Sequence, residues 1–407
     1  MLRSRPTCAA RYSSPSARDG PGIAGQDLAP GLPLHRELYG YTVSGVSHIQ
    51  PIKTALKGRG ALSNPTGRFE RQSVQAVDDG WYKEDLPAAI ATTVEPDFAR
   101  GIIQTNSSPD VPFDYSVNPY RGCEHGCIYC YARPTHGYLG LSAGIDFETR
   151  LFYKVDAGTL LRNELAHTGY VCKPITMGAN TDPYQPVERD KRVTRALLEV
   201  LAETRHPVSI ITKSALILRD LDLLTDLARD GLVSVAVSIT TLSGETKRSL
   251  EPRTASPQAR LRAVRELNAA GITTGVLVAP VIPAITDHEL EEILEAASAA
   301  DAQWASYILL RLPLEIKDLF RDWLAEHFPE RAEHVMALIR DMRGGRDNDP
   351  RFGARMRGTG PIAELLRNRF RIACQRLGLN GAVRVRSLRT DLFMAPRVSG
   401  SQLDLGL

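Results

Sequence analysis

The chain has 407 residues, of which 43% are hydrophobic and 24% are charged, with a mean hydropathy of −0.20 and a formal net charge of +3. This composition is ordinary for a globular protein with one large core, or with one large and one small core. No window holds eighteen consecutive apolar residues, so neither a membrane-spanning helix nor a membrane partner is expected.

The first twenty residues, MLRSRPTCAARYSSPSARDG, are rich in Arg and Ser and lack the apolar stretch of a secretory signal. Two interpretations remain open for them, a transit-like arm and a plain disordered start. Without an export signal, the thiols are expected to stay reduced, which argues against a disulfide framework. We therefore predict a cytoplasmic localisation.

Residues 1–110 show little apolar periodicity and are predicted to form an irregular N-terminal extension. The stretch LKGRGALSNPTGRFE (56–70) is punctuated by Gly, Pro and Arg, as in extended or irregular segments. Its KGRG sequence (57–60) is one candidate for a basic arm that contacts nucleic acid.

Residues 111–315 alternate short apolar runs with amphipathic stretches, which predicts six β/α units. The apolar runs lack polar alternation, as expected for parallel strands that are covered by helices. The six predicted strands are DYSVNPY (114–120), PITMGAN (174–180), PVSIITKS (207–214), LVSVAVSIT (232–240), TTGVLVAPVIP (273–283) and WASYILLRLP (304–313). Because a closed barrel of this kind needs eight units, the fold class is α/β with a partial (β/α)6 barrel.

Local signals set some of the helix ends in this region. Ser256 is a predicted N-cap followed by Pro257 at the first helical position. Gly231 is a predicted helix stop. Thr286 and Glu289 have the spacing of a capping box.

Residues 316–407 are predicted to form a C-terminal α/β cap, with a helix at IAELLRNRFRIACQRLGL (362–379) and a strand at AVRVRSL (382–388). Residues 318–407 contain sixteen Arg, no Lys and eleven acidic residues, a net charge of +5. The segment 340–358 alone holds six Arg around Phe352. Two interpretations are open: a surface that follows phosphates, with Arg355 and Arg357 in contact, or a solvated Arg-rich loop.

The sequence RGCEHGCIYCYARPTH (121–136) places Cys123, Cys127 and Cys130 in one loop directly after the first predicted strand. Sites in parallel β/α folds lie at the carboxyl ends of strands, and Gly122 and Gly126 give the loop turning freedom. Three thiolates suit either zinc or an iron–sulfur cluster.

The two metals differ in the ligands that they need. A structural zinc ion would need a fourth ligand, for which His125 and His136 are available, but no second C-x-x-C motif is present. An iron–sulfur cube on three cysteines instead leaves one iron open for a substrate.

The motif CEHGCIYC after the first strand of a six-unit β/α fold resembles the radical S-adenosylmethionine (SAM) superfamily over residues 112–315. The resemblance implies that Cys123, Cys127 and Cys130 bind a [4Fe-4S] cluster whose fourth iron is chelated by SAM. It also implies that an electron donor such as flavodoxin or ferredoxin reduces the cluster, and that cleavage of SAM yields a radical that abstracts hydrogen. Tyr129 matches the aromatic residue beside the adenine in this family; core packing is its structural alternative.

The resemblance also suggests which strand ends contact SAM. Thr181 and Asp182 match the position that binds the amino group, although Asp182 is also a possible helix cap. Lys213 matches a contact to the carboxylate, although a solvated lysine is the alternative. Ser238 is a further candidate, for the carboxylate or ribose, and Glu251 and Arg253 are two weaker ones.

The sequences TDPYQPVE, ITKS and LEPRT resemble the spore photoproduct lyase branch, often labelled DNA-repair-photolyase-like. That branch uses a cysteine near the end of the second strand to return hydrogen, but MGANTD has none here. Cys172 lies at the other end of the strand, roughly 26 Å from Asn180 at ~3.3 Å per residue. Reversal of a thymine dimer by the same route is therefore in doubt.

Three hypotheses follow for the function. The first is a radical SAM enzyme that acts on DNA or RNA, by lesion repair or by base modification. The second is a radical SAM enzyme that acts on a peptide or small molecule. The third is a zinc-stabilised nucleic-acid-binding module without enzymatic activity. The oligomeric state is left open by the sequence.

Overall fold

The computed structural model describes residues 56–69, 90–381 and 387–397. The strands are β1 (Thr93–Asp97), β2 (Ile103–Thr105), β3 (Tyr115–Val117), β4 (Tyr120–Arg121), β5 (Arg150–Lys154), β6 (Ile175–Met177), β7 (Val208–Thr212), β8 (Val233–Ser238), β9 (Thr273–Val281) and β10 (Trp304–Leu309).

The α-helices are α1 (Asp146–Thr149), α2 (Ala157–Leu165), α3 (Glu188–Lys191), α4 (Val193–Glu203), α5 (Leu221–Arg229), α6 (Gly244–Leu250), α7 (Pro257–Ala269), α8 (Leu290–Ala299), α9 (Ile316–His327), α10 (Ala332–Asp341), α11 (Ala354–Arg357) and α12 (Gly360–Arg376). Short 3-10 helices cover Arg133–Leu139, Ala215–Asp220 and Asp287–Glu289.

The main sheet has seven strands in the order β10-β9-β8-β7-β6-β3-β2. The six predicted strands β3, β6, β7, β8, β9 and β10 are all present and pair in parallel. Strand β2 joins the edge antiparallel to β3. The prediction of a partial (β/α)6 barrel is therefore confirmed, with β2 as an added edge strand.

Burial explains why the parallel strands were visible in the sequence. All six residues of β8 are buried, and helices α5, α7 and α8 pack on β8 and β9. A strand covered on both faces must be apolar throughout, which gives an unbroken apolar run. By contrast, β1 and β2 are half-exposed, and β1 pairs with β5 in a separate three-stranded sheet, β1-β5-β4. Both lie in the stretch predicted to be irregular.

The helix-end predictions have mixed outcomes. The Ser256 hydroxyl accepts a hydrogen bond from Ala259 N (3.2 Å), which confirms that cap. Gly231 has a φ of +68° just after α5, which confirms the predicted stop.

The capping box at Thr286 and Glu289 is wrong. The Thr286 hydroxyl accepts from Ile282 N (3.0 Å), whereas Glu289 accepts from the Thr241 hydroxyl (2.6 Å). Thr286 therefore makes a local contact within its own turn and Glu289 makes a long-range contact, so the two side chains do not form the predicted box.

The C-terminal region contains α9–α12 among its described residues, and most of the strand predicted at 382–388 lies outside them. Within the described part of the chain, no helix combines the length and hydropathy needed to cross a membrane. Domain boundaries at residues 110 and 315 stay a prediction.

The amino-terminal ends of the strands are covered in part by residues 387–397. Met394 N donates to Thr204 O (2.9 Å), and the Phe393 ring packs on Tyr170 and His206, at 5.5 and 5.3 Å between centroids. His206 is buried, with Nε2 2.7 Å from the Tyr170 hydroxyl. Burial lowers the pKa of His206 to about 4.

This burial predicts a loss of stability in weak acid. Between pH 6.5 and 4 the unfolded chain binds a proton at His206 that the folded chain does not, so the free energy of unfolding falls as the pH falls. We expect His206→Gln to remove roughly 2 kcal/mol of this pH dependence between pH 8 and pH 5, measured by urea unfolding at both pH values. The exposed His288→Gln variant is the control and should keep the wild-type dependence. Equal pH dependence in all three proteins would contradict the account.

Candidate functional site

The cysteine loop, residues 123–130, follows β4 and lies against α1 and the end of α6. Cys123 N donates to Phe147 O (2.9 Å), and Cys130 N donates to Cys127 O (3.2 Å). Cys123 and Cys127 are buried, and Cys130 is half-buried. The loop therefore gathers the three thiols in one protected region.

Burial and the proximity of neighbouring charges affect the thiols directly. Burial raises the pKa of Cys123 well above its usual value, with Asp182 and the other two thiols adding to the effect. Burial, followed by the charge of Glu251, raises the pKa of Cys127 to about 12. The metal-free thiols of Cys123 and Cys127 are therefore held protonated, and a cation bound to them would have to displace those protons.

Arg133 stabilises the cysteine loop by hydrogen bonds to its backbone. Its side chain is fully buried, and Nε donates to Cys127 O at 2.9 Å. The other guanidinium nitrogens donate to the carbonyls of Gly126 (3.1 Å), Ala143 (3.1 Å) and Gly144 (2.9 Å). One side chain therefore fixes the backbone between the first two cysteines and the backbone before α1.

Glu148 compensates the Arg133 charge and recruits an earlier part of the chain. Its carboxylate pairs with Arg133 and accepts hydrogen bonds from Gly60 N (3.0 Å) and Ala61 N (2.8 Å). A Cβ on Gly60 would lie 1.9 Å from Gly126 O, so only glycine permits this approach. Residues 59–61 are thus packed directly on the cysteine loop.

This packing corrects the interpretation of KGRG as a basic arm. Arg59 is only 8% exposed, and its guanidinium donates to Glu148 O (2.9 Å), Ile90 O (2.7 Å) and the Thr92 hydroxyl (2.9 Å). A guanidinium that is used in this way is not free to follow phosphates.

Tyr129 is anchored by its hydroxyl group. The hydroxyl donates to Glu251, which also accepts from the Thr240 hydroxyl (2.8 Å) and pairs with the buried Arg260. Burial would raise the pKa of Glu251, but the charges of Arg260 and Lys213 outweigh it and lower the pKa to about 2. The ring is thereby held in a fixed position.

Asp182 joins the ends of β6 and β7. Its carboxylate accepts from the Thr212 hydroxyl (2.7 Å), Lys213 N (2.7 Å) and Tyr184 N (2.9 Å), and Oδ2 is 3.4 Å from His125 Nδ1. Despite burial, which raises it, the pKa falls to about 2, chiefly through His125. Little acceptor capacity is left for an ammonium group. Asp182 is not a helix cap either, because α3 starts at Glu188.

Thr181 and Ser238 have hydroxyls that donate to the backbone. Thr181 Oγ1 donates to Tyr120 O (3.0 Å), and Ser238 Oγ donates to Ala279 O (3.2 Å). Their oxygens can still accept a hydrogen bond, which suits a contact to an ammonium group or a ribose hydroxyl.

Lys213 and Arg253 differ in how freely they can bind a carboxylate. Lys213 Nζ lies 5.8 Å from the centroid of the Tyr129 ring, and no hydrogen bond from it to the described residues is found. Burial lowers the pKa of Lys213. Cys127 and Glu251 raise it by a larger amount, so the net shift is upward. Arg253 is paired with Glu124 (2.6 Å). Of the predicted contacts, Lys213 is therefore best placed to bind an anion.

Each candidate fourth ligand for zinc has one ring nitrogen engaged by a neighbour other than the thiols. His136 Nε2 is bonded to Arg150 O (3.0 Å), and His125 faces Asp182. Across the described ranges, no group of three or more His, Cys, Asp and Glu side chains could hold a metal ion. Three cysteines around a cluster surround a larger body than a single ion, and three thiols, two of them buried and one half-buried, suit it chemically.

A family model for the radical SAM superfamily matches residues 117–297, which contain the cysteine loop and strands β6–β9. An uncharacterised protein of Mycobacterium tuberculosis is 39% identical over 232 residues, 56% of this chain and 68% of the relative. The chain belongs to the radical SAM superfamily.

Two further similarities concern characterised proteins. The radical SAM Nα-GlyT isomerase of Pseudomonas phage M6 is 25% identical over 217 residues, 52% of this chain and 39% of the isomerase. A spore photoproduct lyase, solved with a dinucleoside spore photoproduct, has a TM-score of 0.50 at 18% identity, over 70% of this chain and 79% of the lyase. The lyase shares the fold.

Membership settles the class of protein and the cofactors. Radical SAM proteins are enzymes that use a [4Fe-4S] cluster and SAM, and this protein is such an enzyme. The hypothesis of a non-enzymatic zinc module is therefore wrong.

The residues that the sequence analysis missed are those that support the loop. Arg133 and Glu148 carry no motif of their own, because a buried ion pair between positions 15 apart has no periodic signature. The sequence predicts KGRG (57–60) only as a basic arm, whereas Arg59 and Gly60 pack on the cysteine loop and on Glu148.

The Arg133–Glu148 pair predicts a large effect of a small change. We expect Glu148→Gln to lower the free energy of unfolding by about 3–5 kcal/mol, because the Arg133 charge stays buried without a counter-charge. Anaerobic urea unfolding and the iron content per chain are the measurements. The control is Glu203→Gln, which removes an exposed ion pair to Arg162 and should cost less than about 1 kcal/mol. Equal stability of the two variants would show that the pair does not support the loop.

Proposed function

We propose that Cys123, Cys127 and Cys130 bind the [4Fe-4S] cluster, that SAM occupies its open iron, and that the enzyme abstracts hydrogen from a nucleic-acid substrate. The observation that carries the proposal is the loop itself, in which Cys127 lies near Lys213, Cys123 lies near Asp182, and Cys130 is half-buried beside them. When bound, the cluster and SAM supply an electron and a carbon-centred radical that takes a hydrogen atom.

The side chains around the thiols have distinct parts in this proposal. Lys213, with no hydrogen bond to the described residues, pairs with the carboxylate of SAM. The anchored ring of Tyr129 lies along the adenine. Thr181 accepts from the amino group, and Asp182 acts by fixing the strand ends that carry Thr181 and Lys213.

Two weaker contacts complete the predicted set. Ser238, at the end of β8, accepts from the ribose or lies against the carboxylate. Arg253 forms an ion pair with Glu124, the residue after Cys123. Arg253 therefore affects SAM indirectly, by fixing the position of the cysteine loop. An external donor such as flavodoxin or ferredoxin supplies the electron.

The nucleic-acid class is supported by the charge of the C-terminal region, which is +5 over residues 318–407. The segment 340–358 contributes less than its composition suggests. Arg340 pairs with Asp347, Arg351 with Asp349, and Arg355 with Asp110. These arginines are engaged in ion pairs within the protein. A variant of Arg355 would therefore change stability as well as any binding of nucleic acid.

The reaction differs from that of the lyase in how hydrogen is returned. No cysteine occurs between residues 175 and 182, and Cys172 precedes β6 at its opposite end. We therefore propose base modification or repair without a cysteine donor at this strand end. The alternative, a peptide or small-molecule substrate, uses the same cluster and SAM contacts.

The proposal predicts transfer of deuterium from nucleic acid to 5′-deoxyadenosine. Anaerobic, reduced holoenzyme is incubated with SAM and with DNA or RNA oligonucleotides made from deuterated nucleosides, and the product is analysed by mass spectrometry. Cys123→Ala should lack the cluster and give no product, whereas Cys172→Ala should retain wild-type transfer.

The outcomes separate the hypotheses. A one-mass-unit increase in 5′-deoxyadenosine with DNA or RNA supports a nucleic-acid substrate. Cleavage of SAM that acquires deuterium only from labelled peptides or metabolites would replace it with the alternative. Transfer by Cys123→Ala at the wild-type rate would refute the assignment of the cluster ligands.

A further inference from the structure

Arg311 lies two residues beyond the end of β10, at the same sheet edge that carries Thr181, Lys213 and Ser238. Its guanidinium carbon is 5.6 Å from the centroid of the Tyr131 ring, and Tyr131 directly follows Cys130. Arg311 therefore lies next to the cysteine loop, at the edge where ligands of parallel β/α folds bind.

Most donors of Arg311 find no hydrogen-bond acceptor among the described residues. Its Nε is shielded from solvent and has no acceptor, and Nη1 has only a long contact to Met356 Sδ (3.7 Å). Among the described residues no carboxylate is within ion-pair distance of it. A buried N–H without an acceptor is costly, and natural structures usually supply one.

The surroundings increase this cost. Burial, followed by the nearby charge of Arg355, lowers the pKa of Arg311. The nearest acid, Asp110, is already used, because its carboxylate pairs with Arg355 and accepts from Gly353 N (2.6 Å). Arg311 is left as a partly buried positive charge next to a second one.

Arg343 shows what a structural arginine looks like in the same region. Its guanidinium donates to Leu309 O (3.3 Å), Leu310 O (2.6 Å), Ala354 O (3.0 Å) and Arg355 O (2.9 Å). These bonds tie the segment after α10 to the end of β10. Both terminal nitrogens of Arg343 have carbonyl acceptors, so the unfilled donors of Arg311 are not a general property of this part of the fold.

We propose that Arg311 binds a phosphate oxygen of the nucleic-acid substrate and so fixes the target nucleotide beside the cluster. The proposal rests on the proposed function and names the group by which the substrate is recognised. A phosphate approaching the Nε–Nη2 edge would supply the missing acceptors in the two-pronged geometry that guanidinium favours. Positioning of this kind brings a substrate C–H bond within reach of a radical.

Tyr131 provides the complementary surface. Its hydroxyl donates to Ala179 O, which anchors the side chain, and the residue is 49% exposed. An anchored, half-exposed ring beside a phosphate-binding arginine suits stacking of a base next to its own backbone.

The test uses anaerobic holoenzyme and a fluorescent single-stranded DNA of about twelve nucleotides, with binding measured by anisotropy over a salt series. We expect Arg311→Gln to weaken binding about tenfold or more. The slope of log affinity against log salt should fall by about 0.7, the value for one phosphate contact on a single strand. Arg311→Lys should keep the slope and recover part of the affinity.

Arg346→Gln is the matched control, because Arg346 is exposed on the same Arg-rich segment and the change removes the same charge. It should leave the affinity and the salt slope close to those of wild type. Cluster absorbance and SAM binding are measured for every variant, so that a folding defect is recognised.

The outcomes distinguish this inference from the proposed function. If wild type binds DNA and Arg311→Gln binds equally well, the role of Arg311 is refuted and the proposed function stands. If wild type binds neither DNA nor RNA, the proposed function fails, and inorganic phosphate is then titrated by calorimetry. If wild type binds phosphate and Arg311→Gln does not, Arg311 is an oxyanion site for a phosphorylated small substrate. If both proteins bind phosphate equally, or if neither binds it, the role of Arg311 is refuted.

Discussion

The buried ion pair between Arg133 and Glu148 is the interaction on which the rest of the site depends. Arg133 fixes the carbonyls of Gly126 and Cys127, and Glu148 fixes the backbone of residues 60–61 against the same loop. A buried pair is costly to form and far more costly to break, because either partner alone is an unpaired charge. The Arg133–Glu148 pair therefore strongly favours one conformation of the cysteine loop.

A second network fixes the other side of the site. Glu251 binds Tyr129, Thr240 and Arg260, and Arg260 Nη1 also donates to Ser238 O at the end of β8 (2.9 Å). The cysteine loop and the strand ends are thus joined through one buried carboxylate. SAM would bind between two surfaces that are already in place, which lowers the entropic cost of ordering the site.

The sequence was sufficient for the parallel strands and for the three cysteines. Strands such as β8 are apolar throughout because they are covered on both faces, and C-x3-C-x2-C is a local spacing. Pairing between distant positions was not predictable: β1 depends on β5, and Glu148 depends on Arg133 and Gly60. The capping box failed for the same reason, since Glu289 is bound by Thr241.

Arginine composition was the least reliable guide to function. Arg59 and Arg343 are buried and donate hydrogen bonds to backbone carbonyls, and Arg355 forms an ion pair with Asp110. All three nevertheless lie in stretches whose composition suggested contact with phosphate. Arg311 was not singled out in YILLRLP, yet it has the unfilled donors. The useful signal was a charged residue just beyond an apolar strand, at the edge where the site lies.

The central claim is that one iron of the cluster has no protein ligand and binds SAM. Mössbauer spectroscopy of anaerobic, iron-57-labelled enzyme, with and without SAM, tests it most directly. The account predicts that SAM shifts the signal of one iron in four and leaves the other three unchanged. Four irons with indistinguishable signals that do not respond to SAM would contradict the account.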